Sequence, residues 1–394
     1  MRLHSWSFAA RRHEQGLGRG DRVAELRASR PRRRPGPARS SLDAHDGTAA
    51  GLLGDPAFVR GAGSLLSDYA RLTAGQAAVL VYDPQVAAVC RALESIPVGA
   101  GITVRRVSAK LDWTTITTHL KTRCDAVLFL ELGESHHTQA LLRHLSTTQH
   151  APRAYRLFGA TAETIRYGFR RRQATLRRRN WDLIEHARRA GRLTVESDRG
   201  TRLAVGLDRA APWANTYGEP ADGYPGVLPP AEINIRSADV DGVLVADGAI
   251  GSNIGWPLDT RLEANPVTLR ISGGRITDVD SRHRLVRDLV EEFLRVPDCN
   301  EVVEIGIGTN DGIPRFVPSD ILLNERFASF HLGVGSADAA NPAQNLHLDF
   351  ILGGCRILMG RHVALSNGRF ARPTTAAIPI GRAYDVPVKL HDAL

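Results

Sequence analysis

Several common chemistries are missing from this chain. It has four cysteines in 394 residues, Cys90, Cys124, Cys299 and Cys355, and none forms a CxxC pair. That spacing argues against a thiolate zinc site and a disulfide framework, and it suits buried thiols in a reducing, cytoplasmic compartment. No apolar run approaches the roughly 18 residues of a membrane span. The longest candidate, AAVLVYDPQVAAVC, is broken by Asp83 and Pro84. No charged start followed by an apolar stretch marks a secretory signal. A G-x-S-x-G nucleophile motif is lacking. The Gly-rich GIGTNDG (306–312) fits neither a phosphate loop nor a dinucleotide pattern, and reads as the turn after a strand. Composition predicts a soluble globular protein, with 43% apolar and 24% charged residues.

An excess of basic charge is present, but it is local. The net charge is +9. Residues 1–40 hold eleven Arg against three acidic residues, and the remaining 40 basic and 39 acidic residues nearly cancel. The excess sits in RASRPRRRPGPARSS, whose Pro, Arg, Gly and Ser cannot build a core. Residues 1–49 are therefore expected to be a disordered Arg/Pro-rich tail. No nucleic-acid partner and no membrane partner are expected, since a nucleic-acid binder carries its basic excess on a folded face.

From residue 50 to 192 strands alternate with helices, which predicts an α/β domain with a parallel sheet. The expected strands are QAAVLVYD (76–83), ITVRRVSA (102–109), DAVLFLEL (125–132) and YRLFGA (155–160). Helical patterns cover 58–73, 84–101, 113–122 and 137–148. Thr161 to Arg192 reads as one continuous helix whose two triple-Arg groups, Arg170–Arg172 and Arg177–Arg179, form a solvated face. Past Gly191 the texture becomes mostly β, so 193–394 is expected to be a β-rich, metal-binding catalytic domain. RLTVESDRGTRLAVGLD predicts a hairpin around Asp198, Arg199 and Gly200. DGVLVADGAI, PVTLRISGGRITDVD, VVEIGIG, SFHLGVG and LHLDFIL supply further strands, and HRLVRDLVEEFLRV (283–296) one helix.

Charged side chains inside those C-terminal strands carry the functional signal. Glu304 stands in VVEIGIG, His331 in SFHLGVG, and His347 and Asp349 in LHLDF; Glu232 follows the turn GVLPPAE. Carboxylates and imidazoles seldom sit in apolar strands unless something satisfies their charge and lone pairs. His347 and Asp349 are two apart, so in a strand they face the same side. Three carboxylates and two imidazoles make an oxygen and nitrogen set suited to Zn, Co, Mn or Fe(II). Five ligands exceed one catalytic zinc, and a carboxylate bridging two ions would use them all. His136, His137 and His186 lack partners at ligand spacing and read as surface residues.

LPPAE, EIGIGTN, ILLNERFASFHLGVG and HLDF together resemble the aminopeptidase T family of metallopeptidases, with QAAVLVYDP and LTVESDRGTRLAV fitting its pattern. The likeness spans roughly residues 50–370. It implies two domains, a dinuclear Zn or Co centre held by Glu232, Glu304, His331, His347 and Asp349, hydrolysis of small peptides or amides by a metal-activated water, and a homodimer. Glu232 would share its role between ligand and proton shuttle. The family's active-site tyrosine falls on Asp338, and an ionised Asp cannot donate to an oxyanion as Tyr does. The chain also resembles the 2,5-dihydroxypyridine dioxygenases, which share the closing H-x-D. That likeness implies a mononuclear Fe(II) ring-cleaving dioxygenase, although those enzymes carry His where this chain has Glu304 and lack an equivalent of His331; His331, His347 and Asp349 would make a two-His, one-carboxylate iron site here. A non-catalytic binding homologue is a third reading, supported by Asp338.

Overall fold

The computed structural model describes residues 47–373, apart from 98, 100, 112, 122–123, 133–135, 147–150, 222–223, 254–255, 319 and 337–345. The Arg/Pro-rich start and Asp338 lie outside the described residues. The chain opens with two short helices, α1 (Ala49–Leu53) and α2 (Pro56–Ser64). Asp55 starts α2, accepting the Ala57 N–H at 2.8 Å, with Pro56 in the first turn where its missing N–H costs nothing.

Four parallel strands follow, β1 (Ala77–Tyr82), β2 (Thr103–Ser108), β3 (Ala126–Glu131) and β4 (Arg153–Phe158), ordered β2-β1-β3-β4. Between and after them run α3 (Ala87–Glu94), α4 (Trp113–Lys121), α5 (His136–Ser146) and α6 (Ala162–Gly168). Strand alternation decides which helix meets which face. Ala78, Leu80, Leu128 and Leu130 pack against α1, α2, α3 and α6, while Val79, Val81, Val127 and Phe129 pack against Ile116 and Leu120 of α4 and Leu141 and Leu145 of α5. Each such side chain taken out of water stabilises the layer by about 1.5–3 kcal/mol.

The region expected as one helix from Thr161 is two. α6 ends at Gly168 and α7 (Gln173–Ala190) begins five residues later, capped at its end by Gly191 with φ +64°. The break is held by tertiary partners, since the Asn310 amide donates to the Gly168 carbonyl at 2.9 Å and Asp68 accepts the Gln173 N–H at 2.8 Å. Helical periodicity alone does not register such partners.

Two antiparallel sheets make up the rest. One has eight strands: the hairpin β5 (Arg192–Glu196) and β6 (Arg202–Gly206), then β10 (Val240–Ala246), β12 (Val267–Ser272), β13 (Arg275–Ser281), β17 (Arg356–Met359), β18 (His362–Ser366) and β19 (Arg369–Phe370). The other is ordered β11-β16-β15-β14-β9-β7, from β7 (Ala214–Thr216), β9 (Glu232–Ile235), β11 (Ala249–Ser252), β14 (Val302–Gly308), β15 (Phe330–Ser336) and β16 (Leu346–Ile351). β8 (Gly226–Leu228) instead joins β4 as a fifth parallel strand. DGVLVADGAI, expected to supply strand with Gly-rich turns, is divided at Asp247 and Gly248 between β10 and β11, which belong to different sheets. Two helices remain, α8 (Arg284–Leu294) and α9 (Ile321–Glu325). No helix of the described residues is long and apolar enough to cross a membrane.

Of the two triple-Arg groups, Arg170, Arg171, Arg172 and Arg178 are exposed, as a solvated face requires, while Arg177 and Arg179 are half-buried, and several of the six also have partners within the protein. Arg171 and Arg179 both grip Asp311, Arg179 also donates to the Thr309 carbonyl at 2.5 Å, and Arg170 donates to the Gly312 carbonyl at 3.3 Å. They tie α7 and the segment just before it to the loop that leaves β14. Arg177 instead faces Glu219 at 3.6 Å.

A second tie runs through Asp320, which is buried at the start of α9. Its Oδ1 accepts the Leu323 N–H at 3.3 Å and its Oδ2 accepts from Thr161 at 3.0 Å and Thr164 at 2.5 Å. Burial pushes this carboxyl up to about 6, against the lowering effect of the two threonine hydroxyls. A carboxyl raised on folding contributes stability that is present below its ordinary value of 3.8 and lost as pH rises through about 6. Unfolding free energies of the wild type and Asp320→Asn, measured in urea across this window, are therefore expected to diverge. The wild type loses about 2 kcal/mol relative to the variant between pH 4 and pH 6.5. A difference that stays constant over that range contradicts the assignment.

Candidate metal centre

One face of the six-stranded sheet is apolar and the other is charged, as the two-residue period of a strand requires. Ile233, Ile305, Leu332, Leu348 and Phe350 are buried in the core. The alternate positions are Glu232 on β9, Glu304 on β14, His331 on β15, and His347 and Asp349 on β16. Glu232, His331 and Asp349 are buried, and Glu304 and His347 half-buried. All five residues expected from the sequence thus come to one face.

Glycines make the room. Cross-strand register sets Glu304 beside Gly333, and Gly333 beside Asp349, which in turn faces Gly251. A Cβ on Gly306 would stand 1.8 Å from Nε2 of His331, and one on Gly333 would stand 2.6 Å from Cε1 of His347 and 2.9 Å from Oδ1 of Asp349. Contacts that short cannot exist, so any side chain at these two positions would expel the imidazoles. Gly306 and Gly308 belong to β14 itself; the segment GIGTNDG is strand first, and its turn comes only at Asp311 and Gly312.

Two groups of donor atoms converge. Nε2 of His331 lies 3.1 Å from Oε1 of Glu232 and 3.2 Å from Oε1 of Glu304, while Nε2 of His347 lies 2.8 Å from Oδ1 of Asp349. Glu232, Glu304 and His331 offer atoms within 4.8 Å of one another, and so do Glu304, His347 and Asp349. Glu304 is common to both. Around them, Asn234 donates to Oε1 of Glu232 at 3.2 Å, and Asn180 donates to its backbone carbonyl at 3.3 Å. Thr309 donates to Asn180 at 2.6 Å, so α7 and the end of β14 jointly position β9. Asn253 accepts the His347 N–H at 2.9 Å.

Sequence reasoning missed two members of this cluster, Glu325 and Arg326. Both stand at the end of α9, not on a strand, so strand alternation does not point to them. Their signal was adjacency to SFHLGVG within ILLNERF. Glu325 and Asp349 both reach the space over Gly251, whose Cβ would lie 3.0 Å from Oε1 of the first and 3.1 Å from Oδ2 of the second. The buried Arg326 guanidinium forms a short ion pair with Oε2 of Glu232, lies 3.3 Å from Oε2 of Glu325, and donates to the Pro229 carbonyl at 3.3 Å.

Charge shapes each group. Burial opposes ionisation of Glu232, but the Arg326 guanidinium and His331 override it and hold this carboxyl well below the usual range. Burial likewise works against Asp349, and the His347 imidazole nevertheless lowers it. Glu304 is raised by burial, and Glu325 well raised by burial and by the Asp349 charge. The imidazoles gain protons from these neighbours: burial resists, yet Glu232 and Glu304 raise His331, and Asp349 pushes His347 up to about 10. Of the other histidines, His186 is half-buried, bonded to the Asp182 carbonyl at 2.8 Å and stacked on His362 with ring centres 4.1 Å apart; the side chains of His136 and His137 lie outside the described residues.

Removing Arg326 should show how much of this charge it balances. In the presence of chelator, Arg326→Met is expected to lose about 3–5 kcal/mol of unfolding free energy, because it strands a buried carboxylate. Adding Glu232→Gln to it should recover more than half of that loss. A single variant within about 1 kcal/mol of wild type would show that Glu232 is balanced by something else.

No family model matches the sequence, and no curated protein matches it. Solved structures do. The 2,5-dihydroxypyridine dioxygenase from Pseudomonas putida KT2440 is 17% identical, over 83% of this chain and 99% of that one, with a TM-score of 0.54. Wild-type AmpT, an aminopeptidase T, from Thermus thermophilus is 14% identical, over 80% of this chain and 99% of that one, with a TM-score of 0.50. The chain therefore shares with these two enzymes a fold in which a parallel α/β layer is joined to mostly antiparallel β-structure.

Proposed function

We propose that this protein is a metal-dependent hydrolase that cleaves peptide or amide bonds in small substrates, in the manner of an aminopeptidase. The observation that carries this reading is the sharing of Glu304 by two triads of ligand atoms. A carboxylate placed between two oxygen and nitrogen sets is what a pair of Zn or Co ions about 3.5–4 Å apart requires. Glu232, Glu304 and His331 would hold one ion, and Glu304, His347 and Asp349 the other. The orphaned Nδ1 of His331 shows that its ring is aimed by its Nε2 contacts and not by a bond on the other side.

Bound divalent ions supply Lewis acidity, polarising a carbonyl and bringing a water's pKa towards neutrality. The chain's own residues do the rest. Arg326 keeps Glu232 ionised, which suits a ligand. Glu325, a carboxyl raised by burial and the Asp349 charge and placed beside the donor sets, is a candidate to carry a proton alongside Glu232. Asp338 belongs to the proposal only as the position where the resembling family carries tyrosine.

The second reading, an Fe(II) ring-cleaving dioxygenase, draws on the fold shared with the Pseudomonas enzyme and on the set His331, His347 and Asp349. Among the described residues no triad within 4.8 Å contains both imidazoles, which favours the hydrolase. A binding homologue without activity is the third.

Elemental analysis of full-length protein purified without chelator, combined with two assays, tests the choice. Two Zn or Co per chain, with metal-dependent release of amino acids from dipeptides, is the expected result. One Fe per chain with oxygen uptake on a dihydroxypyridine would replace it by the dioxygenase, and a folded protein with no metal and no activity would leave the binding homologue. Losing even an outer partner of a metal ligand costs about 10–100-fold. Glu304→Gln, which removes the shared ligand, is thus expected to hold at most one ion per chain and to lose hydrolysis by more than about 100-fold.

A further inference from the structure

A cleft of ≈ 740 Å³ opens between the first turns of α7 and the segment from Gly368 to Pro373, and none of the five candidate metal ligands lines it. Its volume is that of a small-molecule site. Four arginines line it, Arg178, Arg179, Arg369 and Arg372, against one carboxylate, Asp311. Four positive charges and one negative leave +3 in one cleft.

That single carboxylate is already engaged. Arg179 bonds its two oxygens at 2.8 and 3.1 Å, and Arg171 bonds the same two at 2.8 and 3.0 Å. Arg178, Arg369 and Arg372 are exposed, and among the described residues none of them has an acidic partner. Elsewhere on this chain exposed arginines such as Arg261 and Arg295 do pair with neighbouring carboxylates, at 2.6 and 2.7 Å. Guanidinium groups gathered round one volume repel one another unless an anion lies among them. Ala174 and Thr175, in the first turn of the 18-residue α7, also line the cleft, so the positive end of that helix adds to the field. Phe370, whose ring centre lies 4.5 Å from the Arg179 guanidinium carbon, gives the wall an apolar part.

We propose that this cleft binds a small organic polyanion, a phosphate ester or a polycarboxylate with a compact apolar body. The guanidinium fork matches two oxygens of such a group at once, and the ring of Phe370 covers the carbon part. This site is independent of the metal centre and of the hydrolase reading.

Calorimetric titration of the full-length protein at about 0.15 M salt, where charge attraction without a defined site is screened, tests it. The probes are phenyl phosphate and tricarballylate, with phenol as the uncharged control. Saturable binding of one anion per chain is expected for at least one of the two, and the tighter one identifies phosphate or carboxylate as the chemistry recognised. Arg178→Ala and Arg369→Ala remove exposed, unpaired side chains, so the fold, followed by circular dichroism, is expected to stay intact. Each should weaken binding by about tenfold, the loss of one charge-assisted contact. The proposal is overturned if neither anion binds saturably. It is equally overturned if both variants bind within about twofold of wild type, the result that anion capture by the metal centre would give.

Discussion

Four carboxylates, Glu232, Glu304, Glu325 and Asp349, meet on one face of a single sheet with one guanidinium, Arg326, among them. With neutral imidazoles that leaves three uncompensated negative charges in a largely water-free place, where the Coulomb cost is several times its value in solvent. The surroundings show the response. Two acids are driven towards their protonated forms, two are held ionised by cationic partners, and both imidazoles are drawn towards protonation. Divalent cations relieve all of these strains at once, whereas protons relieve them only by making the carboxylates neutral.

Much of the architecture serves to hold this unfavourable cluster in place. Gly306 and Gly333 remove side chains from the central strands where the imidazoles must lie. Behind the sheet, the apolar alternates pack into the core, so the charged face cannot slip by one residue without burying charge on the wrong side. Two ties then bring the α/β layer to the sheet. Arg171, just before α7, and Arg179 within it clasp Asp311 just after β14, and Thr161 and Thr164 clasp Asp320 just before α9, the helix that delivers Glu325 and Arg326. Strand residues supply the donor set, and helix residues adjust its charge.

What could be read in the sequence follows from that division. The strand residues were legible because a charged side chain at every second position among Ile, Val and Leu has one physical explanation, a face that something polar must occupy. The alternation of strands and helices up to residue 192 was legible for the same reason of period. Glu325 and Arg326 were not, because a five-residue helix has too little periodicity to declare itself. Nor were the roles of Arg171 and Arg179, since charges on a helix look alike whether they meet water or a loop 130 residues away. The division of 240–252 between two sheets was hidden because Asp247 and Gly248 interrupt the strand pattern without ending it.

The central claim is that the clustered carboxylates and imidazoles form a site for metal ions, with Glu304 between two of them. Anomalous diffraction from crystals of the full-length protein, recorded on both sides of the absorption edges of Zn, Co and Fe, tests it most directly. The account predicts two anomalous peaks on the charged face of the six-stranded sheet, both within bonding distance of Glu304. An anomalous map with no peak there, in crystals grown with Zn or Co, would contradict it and leave a cluster balanced by protons and Arg326 alone.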